Sequence, residues 1–93
     1  MAAADLDNLP FTSDGLIRKF SSELSEYDLK WHWDEQDRLV TPVYETDWQF
    51  QFDNELPQEL QMGVGIFVKA GTFHRLIKGT GDLFVEVVKY EVH

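Results

Sequence analysis

The sequence predicts an all-β fold, a sandwich or a small barrel, for this chain of 93 residues. Apolar and polar side chains alternate through most of it, which is the pattern of half-buried strands. The alternating runs are short, and turn residues separate them at intervals of roughly 8–12 residues. No run has the length and periodicity of a long helix. At this size the chain forms one domain.

Seven strands are expected, with a tail before them. The first ten residues are mostly small or polar and end at Pro10, so residues 1–10 are interpreted as a tail and residues 11–93 as a single domain. The predicted strands span residues 15–20, 29–34, 38–44, 48–53, 64–68, 73–78 and 83–92.

The second predicted strand carries two tryptophans. Its side chains alternate between two sets that leave opposite faces. One face carries Leu29, Trp31 and Trp33, and the other carries Lys30, His32 and Asp34. The hydrophilic residues 34–37 have hairpin character, and residues 38–44 form the return strand. Pro42 favours an edge or a bulge there, because proline has no amide proton for a ladder.

The later strands have equally clear patterns. Trp48, Phe50 and Phe52 share one face of a strand and are expected to fill the core, while Gln49 and Gln51 take the other face. A strong turn signal at residues 79–82 precedes the run of β-branched residues in the last strand.

Composition and charge limit the possible functions. The chain has 17 acidic and 8 basic residues and a net charge of −9, which disfavours nucleic acids and anionic membranes as partners. It has no cysteine, so disulfides, thiolate nucleophiles and cysteine-based zinc sites are excluded. The N-terminus lacks the features of a signal peptide, and no stretch approaches the ~18 apolar residues of a membrane span. A soluble, cytoplasmic protein is expected.

The segment from Gly63 to His74 is the most informative part of the sequence. It has the pattern of a strand, a tight turn and a second strand. Gly71 permits a backbone conformation that a side chain would oppose. His74 follows at the start of the next strand, where a rigid backbone suits a metal ligand. A surface or hydrogen-bonded histidine fits the spacing equally well.

In this segment the sequence resembles the cupin superfamily. The second cupin motif runs glycine, five residues, proline, one residue, glycine, two residues, histidine, three residues, asparagine. Gly63, Gly71 and His74 stand at these intervals, whereas Lys69 and Lys78 replace the proline and the asparagine. The resemblance implies a cupin-like double-stranded β-helix, which is a small jelly-roll barrel.

The first cupin motif is degenerate in this chain. The run His32-Trp33-Asp34 resembles the His-x-His pair of the motif, with aspartate in the second place. The place of the motif's glutamate falls on Arg38 or Leu39, and neither binds a metal. A complete site of three histidines and one glutamate is therefore excluded.

The remaining candidates suit a site of two histidines and one carboxylate. His32 and Asp34 leave the same strand face, and His74 comes from another strand. This triad is a known pattern for Fe(II) with open coordination positions, and Mn(II), Ni(II) or Zn(II) also fit.

Other polar residues extend this hypothesis. Gln49 or Gln51 can add a neutral oxygen, and Lys30 shares the face of His32 and can hold a ligand. In the alternative interpretation, Asp34 and Asp37 only shape the hairpin, because aspartate at a turn accepts hydrogen bonds from nearby backbone amides.

The direction in which the two tryptophans point decides whether His32 lies inside the barrel, where a site can form, or on the surface. If His32 points into the barrel, Trp31 and Trp33 point out, and exposed tryptophans usually mark an interface. If the tryptophans fill the core, His32 lies on the surface and no site exists. The cupin resemblance favours the first arrangement, and small cupins commonly dimerise. A homodimer through the Trp31 and Trp33 face is therefore predicted together with the site.

Three functions remain open at this point. The protein can be a metal-dependent oxygenase or isomerase acting on a small polar molecule, a module that binds such a molecule without chemistry, or a structural cupin that has lost the metal site. The fold alone does not decide between them.

Overall fold

A computed structural model describes residues 16–25 and 29–90 of the chain. These residues form seven strands and no helix, so the all-β prediction is confirmed. No helix that could cross a lipid bilayer occurs among them. The predicted tail at residues 1–10 lies outside the described residues. The strands are β1 (Leu16–Phe20), β2 (Asp37–Pro42), β3 (Gln49–Phe52), β4 (Gln58–Glu59), β5 (Ile66–Val68), β6 (His74–Ile77) and β7 (Leu83–Tyr90).

The strands form two antiparallel sheets. The larger sheet has the order β1-β7-β2-β5, and the smaller one has the order β4-β3-β6. Neighbours in space are mostly distant in sequence, since β7 lies between the first two strands. This exchange of strands between two facing sheets is what a jelly-roll requires.

Apolar side chains from both sheets meet in one core. Its centre is the ring of Trp48, which is fully buried and whose indole N–H donates to the carbonyl of Gly81, 2.6 Å away. The predicted role of the aromatic stripe is confirmed, because Phe50 is buried and Phe52 packs against the core. The buried cluster consists of Trp48, Phe50, Leu60, Val68, Leu83, Val85 and Val87.

The main departure from the expected strands concerns residues 29–34. They do not form a strand, and their ladder is limited to one bridge between His32 and His74. The expected hairpin with the following strand is therefore wrong, because β2 pairs with β5 and β7 instead. A short strand, β4, occurs at Gln58–Glu59, between two of the predicted strands.

Pro42 lies at an end of its strand. β2 sits between two neighbours, so it is not an edge strand. Its pairing with β5 stops at Val40, and Pro42 pairs only with Val85 of β7. The carbonyl of Pro42 accepts a hydrogen bond from the amide of Gly63, 2.9 Å away. Pro42, which has no amide proton, thus lies beyond the end of the pairing between β2 and β5.

Candidate metal centre

A two-residue bridge brings the two histidines together. The amide of His32 donates to the carbonyl of His74 at 3.0 Å, and the amide of His74 donates to the carbonyl of His32 at 2.9 Å. Residues that exchange both hydrogen bonds stand directly opposite each other, and their side chains leave the same face. The ring centroids are accordingly 4.3 Å apart, in an edge-on arrangement.

The turn before β6 ties Asp34 to this pair. Gly71 has a φ of 79°, a left-handed conformation that favours glycine, and its amide donates to the carbonyl of Asp34 at 2.9 Å. The neighbouring amide of Ala70 donates to a carboxylate oxygen of Asp37 at 2.7 Å. The two aspartates therefore differ, because the Asp37 carboxylate shapes the turn while the Asp34 carboxylate stays available to the histidines.

Three side chains converge at this point. His32, Asp34 and His74 each offer one ligand atom, and these atoms lie within 4.8 Å of one another. Oδ2 of Asp34 is 3.3 Å from Nε2 of His74. Two ligands that bind one metal at about 2.1 Å stand roughly 3.0–3.4 Å apart in octahedral or tetrahedral geometry. The spacing of this pair is thus already that of two metal ligands.

Backbone carbonyls orient both imidazole rings. Nδ1 of His74 is 2.8 Å from the carbonyl oxygen of Thr72, and Nδ1 of His32 is 3.1 Å from that of Lys30. A carbonyl only accepts, so each Nδ1 carries the proton and donates it. In a neutral ring the lone pair then lies on Nε2, which is how proteins prepare histidine for a metal.

The surroundings of His74 favour its neutral form. The residue is 5% exposed, and the ring of Phe50 stacks on its imidazole with centroids 5.4 Å apart. Burial lowers the pKa of His74 below its usual 6.5, and the nearby His32 and Arg38 lower it further. The hydrogen bond to Thr72 and the Asp34 carboxylate oppose this shift without reversing it.

A neutral His74 leaves the centre electrostatically incomplete. Its Nε2 lone pair faces a carboxylate oxygen of Asp34, so two acceptors are in contact. If the proton of His74 were on Nε2 instead, the lone pair of Nδ1 would face the carbonyl oxygen of Thr72. A cation between Nε2 and Oδ2 satisfies both groups, and the donor set of two imidazoles and one carboxylate fits a divalent transition metal.

The centre opens into a cavity of about 410 Å³ between the sheets. This volume is within the usual range for small-molecule sites. Most of the wall is apolar and belongs to the core. The polar part of the lining consists of Arg18, Lys30, His32, Asp34, Arg38 and His74.

The other residues predicted to bind a ligand lie in two different places. Lys30, which shares the face of His32, lines the cavity. Gln49 and Gln51 do not line it. Gln51 accepts a hydrogen bond from Arg75 at 2.8 Å and donates one to the carbonyl of Glu55 at 2.9 Å. Their strand directs Phe50 to the cavity, so the alternating amides leave the opposite face.

The tryptophans point outward, as the site requires. Trp31 is 39% exposed and Trp33 is 51% exposed, whereas His32 between them lines the cavity. The guanidinium carbon of Arg75 lies 4.7 Å from the centre of the Trp31 ring, which is a cation–π contact on the outer face.

Two arginines of the cavity were not singled out from the sequence. Arg38 lies beside Asp34, with Nη1 3.4 Å from Oδ1, and Arg18 lines the cavity from β1. Period-two spacing contains the signal for Arg18, because it is two residues before Phe20, which packs against the core. A charged residue in a strand is ordinarily interpreted as solvated, and that interpretation hid both positions.

Solved structures share this fold. No family model matches the chain, and no curated protein matches its sequence. The Fe(II) form of HppE in complex with substrate matches 82% of this chain with a TM-score of 0.64 and 19% identity. Fe(II)-HppE with the alternative substrate (S)-1-HPP also matches 82% of this chain, with a TM-score of 0.61 and 22% identity.

A third neighbour is a candidate mannose-6-phosphate isomerase from Ralstonia eutropha JMP134, which matches 82% of the chain with a TM-score of 0.59 and 19% identity. The chain spans 44% and 41% of the two HppE chains and 69% of the isomerase chain. These are cupin-fold structures, so the predicted jelly-roll is confirmed.

Proposed function

We propose that this chain is a small cupin that binds one divalent transition metal through His32, Asp34 and His74. The observation that carries the proposal is the contact of 3.3 Å between Asp34 Oδ2 and His74 Nε2, two acceptors that a shared cation satisfies. The contacts of both Nδ1 atoms with backbone carbonyls support it, because a neutral ring with its proton on Nδ1 presents the Nε2 lone pair to a metal.

The metal would leave open positions toward the cavity. Three protein ligands do not complete a four- to six-coordinate ion, so a small molecule can bind beside it. Fe(II), Mn(II), Ni(II) and Zn(II) all accept this donor set. When bound, such a metal supplies Lewis acidity, and a redox-active one also supports oxygen chemistry. An oxygenase or an isomerase is the class of enzyme that this arrangement suits, and two solved neighbours are Fe(II) proteins by name.

Metal titration of the chelator-treated protein tests the proposal. Elemental analysis after addition of Zn(II), Mn(II) or Fe(II) under anaerobic conditions is expected to give one equivalent. His74→Ala and Asp34→Asn each lose it. Two control variants retain it, namely His93→Ala, which removes the third histidine, and Glu35→Gln, which removes the carboxylate next to Asp34. Stoichiometric metal in His74→Ala, or none in the wild type, contradicts the proposal.

A second candidate is a binding or structural cupin without a metal. The observation in its favour is the ion pair between Arg38 and Asp34, because it already gives the carboxylate a positive partner. In that case the three side chains hold no ion. Wild-type protein that stays free of metal, and whose stability is unchanged by His32→Ala, would select this function.

A further inference from the structure

Basic side chains are concentrated on the cavity of an acidic protein. The chain has 8 Lys and Arg residues and a net charge of −9. Three of the basic side chains, Arg18, Lys30 and Arg38, line the cavity, and Asp34 is the one carboxylate among the described residues of its lining. A positive cavity in a negative protein focuses the electrostatic field on anions that approach it.

The strand register places both arginines on the face that lines the cavity, with Arg18 exposed and Arg38 half-buried. Arg18 stands opposite Val85 on β7, and Arg38 stands opposite Val68 on β5. Both valines are buried in the core, and directly opposed residues share a face. Arginine thus occupies positions of the inner face that apolar residues fill elsewhere in the sheet.

Few acceptors contact these arginines within residues 16–25 and 29–90. Among the described residues, Nε of Arg38 is buried with no acceptor within hydrogen-bond distance. The described ion pairs of Arg38 consist of one contact, to Asp34 at 3.4 Å, and Arg18 has none among the described side chains. A buried donor without a partner is costly, so an oxyanion in the cavity would relieve it.

From this arrangement we propose that the cavity takes a small organic anion, a carboxylate joined to an apolar body. The guanidinium groups of Arg18 and Arg38 receive the carboxylate, since a planar fork of donors suits its two oxygens. The apolar body packs on the core side of the cavity, where Phe50 and Leu76 form the wall near His74. The inference deepens the proposed function, on which it rests for the metal beside this ligand.

Binding of benzoate to the Zn(II)-loaded protein tests this inference by titration calorimetry. Benzoate is expected to bind at least tenfold more tightly than benzyl alcohol, which lacks the anion, and than acetate, which lacks the aromatic ring. Arg18→Gln weakens the binding of benzoate about tenfold, the lower end of the usual loss for a hydrogen bond to a charged group. Lys19→Gln is the matched control, because it removes the same charge from the opposite face of β1 and leaves the affinity within twofold.

Three outcomes are decisive. Equal weakening by Arg18→Gln and Lys19→Gln overturns the inference, since only bulk charge then matters. Equal affinity for benzyl alcohol also overturns it. If Zn(II) itself does not bind, the proposed function fails, and the same titration is made on the metal-free protein. Binding of benzoate to the metal-free protein that depends on Arg18 supports the anion site alone, and the absence of such binding overturns the anion site as well.

Discussion

Asp34 and His74 set two hydrogen-bond acceptors against each other, with Oδ2 of the carboxylate 3.3 Å from Nε2 of the imidazole. The other carboxylate oxygen faces Nη1 of Arg38 at 3.4 Å. One side of Asp34 is therefore neutralised by a cation of the protein, and the other side is not.

Replacing Asp34 separates metal binding from folding. In metal-free protein, Asp34→Asn is expected to be more stable than Asp34→Ala by about 1 kcal/mol, because an amide N–H can donate to Nε2 of His74 where the carboxylate could not. Both variants lose tight metal binding. Urea unfolding in the presence of a chelator measures the difference. Equal stability of the two variants would show that no such hydrogen bond forms.

The turn at Gly71 carries a conformational cost for any other residue. Its φ of 79° is strained for alanine, although an added Cβ would meet no atom within 4 Å. Gly71→Ala is expected to destabilise the protein by about 1 kcal/mol. Gly81→Ala is the matched control, since Gly81 also has open space but no left-handed φ. If Gly81→Ala lowers the stability as much as Gly71→Ala does, the left-handed φ of Gly71 does not explain the effect.

Acid sensitivity is expected at Asp47. Its carboxylate accepts hydrogen bonds from the Thr80 amide at 2.9 Å and the Thr80 hydroxyl at 2.7 Å, and these bonds lower the pKa of Asp47 below 3.8. The stabilisation is thus fully present above pH 3.8 and is lost as the pH falls through the lower pKa of the folded state.

The measurement compares urea midpoints of the wild type and Asp47→Asn as the pH is lowered. The variant is less stable near neutral pH, and the difference shrinks as the pH drops below about 4. Asp53→Asn removes the same charge from another exposed position and is the control. A difference that stays constant with pH would contradict a titrating hydrogen-bond acceptor at residue 47.

The exposed tryptophans stay a predicted interface. Trp33 is 51% exposed next to Trp31, and burial of both by a second copy is expected to hold a homodimer. Trp33→Ser should shift the protein to a monomer in analytical ultracentrifugation. Phe67→Ser removes a side chain of similar exposure, 53%, from β5 and should leave the dimer intact. A wild-type protein that sediments as a monomer at all concentrations rejects this interface.

Most of the strands could be predicted because the alternation of side chains is a local rule, whereas the convergence of His32, Asp34 and His74 was predicted with the help of the cupin resemblance. Alternation placed Trp48 and Phe50 in the core, and a turn glycine before His74 indicated a histidine on a rigid strand. The outward tryptophans and inward His32 agree with the same alternation.

What could not be predicted depends on distant partners. Residues 29–34 have a strand pattern, yet the carbonyl of Asp34 accepts from Gly71, and the bridge at His32 is all that remains of a ladder. The alternation of side chains along a strand also does not show whether a polar residue lies on the inner or the outer face. The glutamines were therefore expected in the site and lie outside it, while Arg18 was missed on the inner face.

The bridge between His32 and His74 also couples occupancy of the centre to local order. His74 is held in a strand of the sheet, whereas His32 is fastened by two backbone hydrogen bonds at one residue. An ion bound by both rings would slow the opening of this two-bond bridge. By linkage, a substitution that destabilises the bridge must weaken ion binding by the same free energy. Slower amide hydrogen exchange at residue 32 after addition of the metal would therefore be the earliest sign that the ion has bound to both rings.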